Sequence, residues 1–194
     1  MKAVIYTRPT VEPVSVAEVK THLRIDGTDD DEMIATLVMA AREQVETITR
    51  RAIMTQTWDY FLDEFPRSNV IVIPFGNLAS VTSVKRKDTA GAETTMTVTT
   101  DYLVQTNGSQ HGMIVLPYGV PWPSGAFYPS NPITIRFICG WTSAALVPSK
   151  IRTAVKFLCA EMYENRGESV IGQTVVENKT VDALLASERL WGSF

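Results

Sequence analysis

The side chains best suited to chemistry in this chain are few and scattered. Its only imidazoles are His22 and His111, and its only thiols are Cys139 and Cys159. A zinc centre or a nucleophile–base pair needs such groups at close, recognisable spacing. The histidines lie 89 positions apart and share no ligand spacing with the cysteines. His22 reads as a helix-surface residue and His111 as a turn residue. Both cysteines sit in apolar stretches and read as reduced, buried small hydrophobes. Asp26, Asp29, Asp30, Asp31 and Glu32 crowd one segment, but Gly27 precedes most of them, whereas a calcium loop places its glycine after three ligands. Acidic residues there suit the N-terminus of a helix, where free backbone N–H groups and the dipole favour negative charge. There is no Gly-rich phosphate loop, no G-x-S-x-G and no H-E-x-x-H. Asp63 and Glu64 are too generic a carboxylate pair for glycosidase work. Lys85-Arg86-Lys87 reads as a solvated strand edge guarded against strand addition. The expectation is a chain with no catalytic, metal or cofactor residues.

Bulk properties agree. With 194 residues, 45% of them hydrophobic, the chain can build a real core. A net charge of −3 supplies no basic field to hold nucleic acid. No apolar run reaches membrane-spanning length, and the apolar stretch at Met1–Pro9 is too short for a signal peptide. Synthesis in the cytoplasm is the expectation.

Periodicity divides the chain in three. Ser15-Val16-Ala17-Glu18 fits a capping box and opens a short helix to about Leu23. A second helix is expected from Asp29 to about Arg51, with Met33, Ile34, Leu37, Val38, Ala41, Val45 and Ile48 as its apolar stripe. At about 22 residues it would be a rod of roughly 33 Å. Its other side carries Glu43, Glu46 and Arg50, with Glu46 and Arg50 spaced for an ion pair. From Gln56 to Gly140 the period drops to two. Trp58, Tyr60 and Leu62 share a strand face; Val70–Ile73 is apolar throughout, predicting cover on both sides. Asp88–Gly91 and Asn107–Gly112 read as hairpin connections. Ile133, Ile135 and Phe137 alternate in a last strand. Six or seven strands predict a mostly antiparallel, curled or sandwich-like sheet. A third helix follows Pro148, with Ser149 as its cap, to about Asn165, where Gly167 stops it; Phe157 falls off its stripe, which points to a second packing surface. Thr180 would cap a last helix to Leu190.

Two features are suited to docking. The loop Pro117–Pro132 holds five prolines and the aromatics Tyr118, Trp122, Phe127 and Tyr128. The chain ends in Trp191-Gly192-Ser193-Phe194. Aromatics in stiff loops or at chain ends lose little entropy on docking. The alternative is that Trp122 and Trp191 fold back onto the core.

Val14–Asp26 followed by Asp29–Ile34 resembles the opening of the head–tail connector (adaptor) proteins of long-tailed phages. Thr55–Trp58 with Leu62–Pro66 resembles the strand start of that family's longer, strand-containing branch, and Ala160–Arg166 the end of its third helix. The likeness covers roughly 13–66 and 132–190; 67–131 matches loosely. It implies a non-enzymatic virion part at the head–tail junction. There a ring of about a dozen copies would form beneath the portal after DNA packaging, with DNA passing through without specific binding. The expected partners are the portal and a neck, stopper or tail-completion protein, with no membrane. In the family the C-terminal segment often contacts the portal.

The resulting expectation is an α+β fold: a helical core of three to four helices (1–54 and 142–194) with an antiparallel, strand-rich insertion (55–141). Subunit contact is assigned to Glu43, Glu46 and Arg50. Partner docking falls to Trp122, Phe127 and Tyr128 with Leu184, Leu185, Trp191 and Phe194. Cutting after Lys179 should abolish portal binding and leave the fold intact. The rival readings are a packaging factor that binds DNA directly, supported by Lys85–Lys87 and the helix ends, and a cell-wall hydrolase, which would need a pocket with two close carboxylates.

Overall fold

The computed structural model describes residues 2–165 and 179–191. They form two compact units, one mainly helical and one of strands, giving the α+β class.

The helical unit takes in described residues 10–54, 141–165 and 179–189. Helix α1, Val16–Leu23, opens with the expected capping box: Glu18 N–H donates to Ser15 Oγ at 3.2 Å and Ser15 N–H donates to Glu18 Oε2 at 2.9 Å. Two otherwise orphaned backbone donors are satisfied. Ser15→Ala removes one of them and should cost about 1 kcal/mol of stability, read as a lower urea midpoint at unchanged slope. An unshifted midpoint would show that the box contributes nothing.

Helix α2 spans Asp31–Thr49, two residues shorter at each end than the expected Asp29 to about Arg51, and contains the whole apolar stripe. Asp30 sits at its N-cap but makes no side-chain cap bond; its carboxylate instead accepts from the Tyr163 hydroxyl. The acids still favour this end through the dipole, with Asp31 and Glu32 in the first turn. Helix α3 covers Ser149–Glu164, with Pro148 rather than Ser149 in the cap position. Helix α4 covers Lys179–Ala186, so Thr180 lies within it and it ends before Leu190. Gly167 lies outside the described residues. Val19, Ile34, Val38, Val45, Ile151, Val155, Val181 and Leu185 are among the buried residues that form one core. Phe157, off the α3 stripe, meets His22 of α1 at 5.6 Å between ring centroids, the second surface its position implied. Cys159 is buried in this core, which pushes its thiol up to about 12.

Polar ties cross the apolar core. Arg152 Nε donates to Pro13 O at 3.1 Å and its guanidinium pairs with Glu18. Arg51 donates to Glu188 O. The most buried tie is Arg42 on α2, only 3% exposed. It donates to Glu12 and Glu46, both at 2.8 Å, and Glu46 also accepts the Ile53 N–H at 2.8 Å.

The strand unit takes in described residues 2–9, 55–140 and 190–191. Strands β1 (Lys2–Thr7), β2 (Gln56–Leu62), β4 (Leu78–Lys87), β5 (Glu93–Met96) and β8 (Ile133–Cys139) form a sheet in the order β1-β2-β8-β4-β5. Strands β3 (Val70–Gly76), β6 (Leu103–Gln105) and β7 (His111–Val115) form a second, in the order β3-β7-β6. Every pairing between these named strands is antiparallel. Alternation along β8 buries Ile133, Ile135, Phe137 and Cys139, as period two requires. Directly paired Asp59 and Arg136 face the other way and form a bidentate ion pair with both bonds at 2.7 Å.

Three sequence expectations change here. β1 falls within the stretch 1–54 assigned to the helical core but belongs to the strand unit; it has no fully buried residue, and pairing with β2 makes it a strand. β3 is covered on one side only, because Val72 is 37% exposed; its apolar run does not mark a doubly buried strand. Lys85–Lys87 is not on the sheet edge either, since β5 lies outside β4 and Glu93 pairs with Lys85 and Lys87 across the strands. The second sheet meets the first where Trp58 lies 4.4 Å from Phe75 and where the β7 backbone at Gly112 abuts Leu78.

Candidate assembly surfaces

Each unit has its own exposed features, beginning with α2. Its buried side holds Ile34, Val38, Ala41, Arg42, Val45 and Thr49. Glu43 is exposed and lies 3.6 Å from Arg42. Glu46 does not belong with an outer surface, as its side chain is half-buried and committed to Arg42 and the Ile53 amide. Arg50 is exposed and ends the helix in a left-handed conformation, φ 56°. Arg42 was missed by sequence reasoning. Its position was legible, because residue 42 is four beyond Val38 and three before Val45, squarely on the apolar stripe.

Burial raises the carboxyl of Glu12 above its ordinary value, outweighing the attraction of Arg42. Glu18 moves the other way, lowered first by the hydrogen bond from Ser15 and then by Arg152. The Lys85 hydrogen bond and charge lower Glu93, helped by Lys87.

Beside α1 lies an open groove of about 710 Å³, lined by Val16, Ala17 and Ile25 with Lys20, Thr21, Arg24, Asp26 and Asp31 around them. Lys20 and Asp31 pair at 2.6 Å across it. Among the described residues no group of three His, Cys, Asp or Glu side chains is placed to hold a metal ion, and no helix is long and apolar enough to cross a membrane.

In the strand unit, the aromatic loop splits between inward and outward rings. Trp122 stacks on Phe65 at 5.1 Å, with planes 10° apart, and its Nε1–H donates to Ser68 O at 2.8 Å. Phe127 meets the edge of the same Phe65 at 5.8 Å. Tyr128 is exposed, although its backbone N–H donates to Lys87 O. Tyr118 is fully exposed. Thus Trp122 and Phe127 serve mainly to hold the loop, and Tyr118 and Tyr128 are what it presents.

The C-terminal set also divides. Leu185, 0% exposed, belongs to the helical core and cannot dock a partner, because removing it would open the fold. Leu184 is half-buried, Trp191 is 81% exposed, and Phe194 lies outside the described residues. A cut after Lys179 would strip Val181 and Leu185 from the core, so it could not leave the fold intact.

The family model for the phage gp6-like head–tail connector protein matches residues 13–111, just over half of the chain. That span runs from before α1 to the start of β7; the stretch 132–190 lies beyond it. Among solved structures, a chain in the neck of an empty gene transfer agent (GTA) particle, computed with C6 symmetry, superposes with a TM-score of 0.81 at 22% identity. It covers 100% of this chain and 98% of that one. A chain of the native GTA virion gives 0.79 at 22% identity, and one in the native neck computed with C12 symmetry gives 0.78 at 23%, with the same coverage. Comparison with curated proteins finds no significant match.

Proposed function

The chain belongs to the phage gp6-like head–tail connector protein family, and from that premise we propose that it acts as one subunit of a ring at the head–tail junction of a virion. The ring sits beneath the portal and supports the next neck or tail-completion protein. The observation that carries this reading is the full-length match in fold to chains in particle necks computed with C6 and C12 symmetry. Such symmetry fits about a dozen copies. The chain works by shape, with heterologous contacts closing the ring, and it performs no covalent chemistry. A net charge of −3 suits a lumen through which DNA passes without sticking. The competing reading, a factor that binds DNA directly, loses support because two of its three basic residues, Lys85 and Lys87, pair with Glu93.

Light scattering of the pure protein, alone and mixed with portal, tests the ring. A mass matching about a dozen copies in either condition is expected; a monomer in both refutes it. A salt-dependent DNA shift at low protein concentration would favour the packaging factor instead.

For portal contact we assign the exposed Trp191. Trp191→Ala should weaken portal binding about tenfold or more while leaving the urea midpoint unchanged, as expected for an exposed aromatic anchor. Equal affinity for the variant and the parent would remove the tail from the portal contact.

A further inference from the structure

We propose that the turn carrying Tyr118 on one copy seats in the α1 groove of the next copy, so that each subunit offers a knob and a socket. This deepens the ring reading above and rests on it. The knob is rigid before it binds. Val120 N–H donates to Pro117 O at 3.2 Å, and Gly119, at φ +77°, supplies the left-handed third residue of a tight turn. Pro117 and Pro121 bracket it, and Trp122, next along, is clamped on Phe65 and Ser68. A phenol ring with a polar tip therefore stands in solvent and loses little freedom on docking.

The socket has matching chemistry. Val16, Ala17 and Ile25 offer an apolar floor, and at about 710 Å³ the groove is roomy for one aromatic side chain. Asp26 at its rim can accept the phenol hydroxyl, and Arg24 can lie over the ring. No residue from Pro117 to Pro132 is charged, so the loop brings no second charge to be desolvated against this charged rim. A knob and a socket at different places on one chain pair head to tail, the heterologous geometry that generates rings. A single aromatic buries about 150–250 Å², less than the ~800 Å² per partner of a stable interface. Tyr118 is thus one anchor within a larger contact.

The test uses the full chain, under conditions where the parent protein assembles. Tyr118→Cys and Ala17→Cys variants are mixed and oxidised; Ala17 is exposed, and the native thiols of Cys139 and Cys159 are buried. A disulfide between the two variants, absent when either is oxidised alone, is the expected result. Separately, Tyr118→Ala should raise the dissociation constant of self-assembly about thirtyfold with an unchanged urea midpoint. Assembly of the parent with no mixed disulfide and no effect of Tyr118→Ala overturns this inference and leaves the ring standing. A parent chain that never assembles, alone or with portal, overturns both. A Tyr118→Ala variant that assembles normally but no longer binds the next neck protein also overturns the pairing between copies, and moves the knob to that partner.

Discussion

Gly112→Ala is expected to lower the unfolding free energy by about 2–4 kcal/mol, among the larger effects available from adding a single methyl group. A Cβ at Gly112 would lie 2.2 Å from Leu78 Cδ2 and 2.5 Å from Leu78 Cβ. Rotating the leucine relieves the first contact and leaves the second, since Cβ is fixed to the backbone. β7 must therefore move off the beginning of β4, which opens the junction of the two sheets. Leu78→Ala keeps the offending Cβ and should not rescue the variant; Leu78→Gly removes it and should restore part of the loss. Urea unfolding of the single and double variants decides the matter. A Gly112→Ala chain as stable as the parent would mean the sheets do not meet this closely.

Arg42→Leu should cost about 3–5 kcal/mol, because it strands partly buried carboxylates rather than because it deletes attraction. Glu12 and Glu46 both bond to this guanidinium, and Glu46 also holds the Ile53 amide at the end of the helical segment. The loss should depend on pH with a definite sign. The folded-state value of Glu12 is already above its ordinary one, so the folded chain binds its proton more readily than the unfolded chain. The stability contribution of that group therefore rises as pH falls through the window between the folded and unfolded values. Without Arg42 the window moves higher, and the deficit of the variant should shrink as pH falls from neutrality towards the ordinary carboxyl range. Glu18 works oppositely: its lowered value contributes stability that is present above the ordinary carboxyl range and lost as pH falls through the folded value. Glu18 is unchanged in the variant, so its contribution cancels in the comparison. A deficit that is constant or grows on acidification would exclude Glu12 as the stranded charge.

The locally encoded elements were legible. The Ser15–Glu18 box, the α2 stripe, the Asp88–Gly91 connection and the alternation of β8 each depend on residues a few positions apart, and each appears where its pattern places it. The candidate surfaces were read less completely. Leu184 and Leu185 share one helical pattern, yet Leu185 is core and Leu184 only half-covered. Trp122 and Tyr118 belong to one stiff loop, yet one ring is clamped and the other projects. Composition says an aromatic will anchor something; it does not say whether the something is Phe65 of the same chain or a neighbour.

Amino-acid order by itself thus determined the class, the capped start of α1, the hairpins and the absence of recognised catalytic motifs, because caps, turns and hydrophobic periods act over distances of a few residues. Tertiary structure decided that Lys2–Thr7 is a strand, that Arg42 is a buried hub, that Leu185 is core, and that Tyr118 rather than Trp122 is presented. Each of those outcomes depends on a partner 30 or more positions away, or on finding none, and the burial of a side chain is a property of what surrounds it in space.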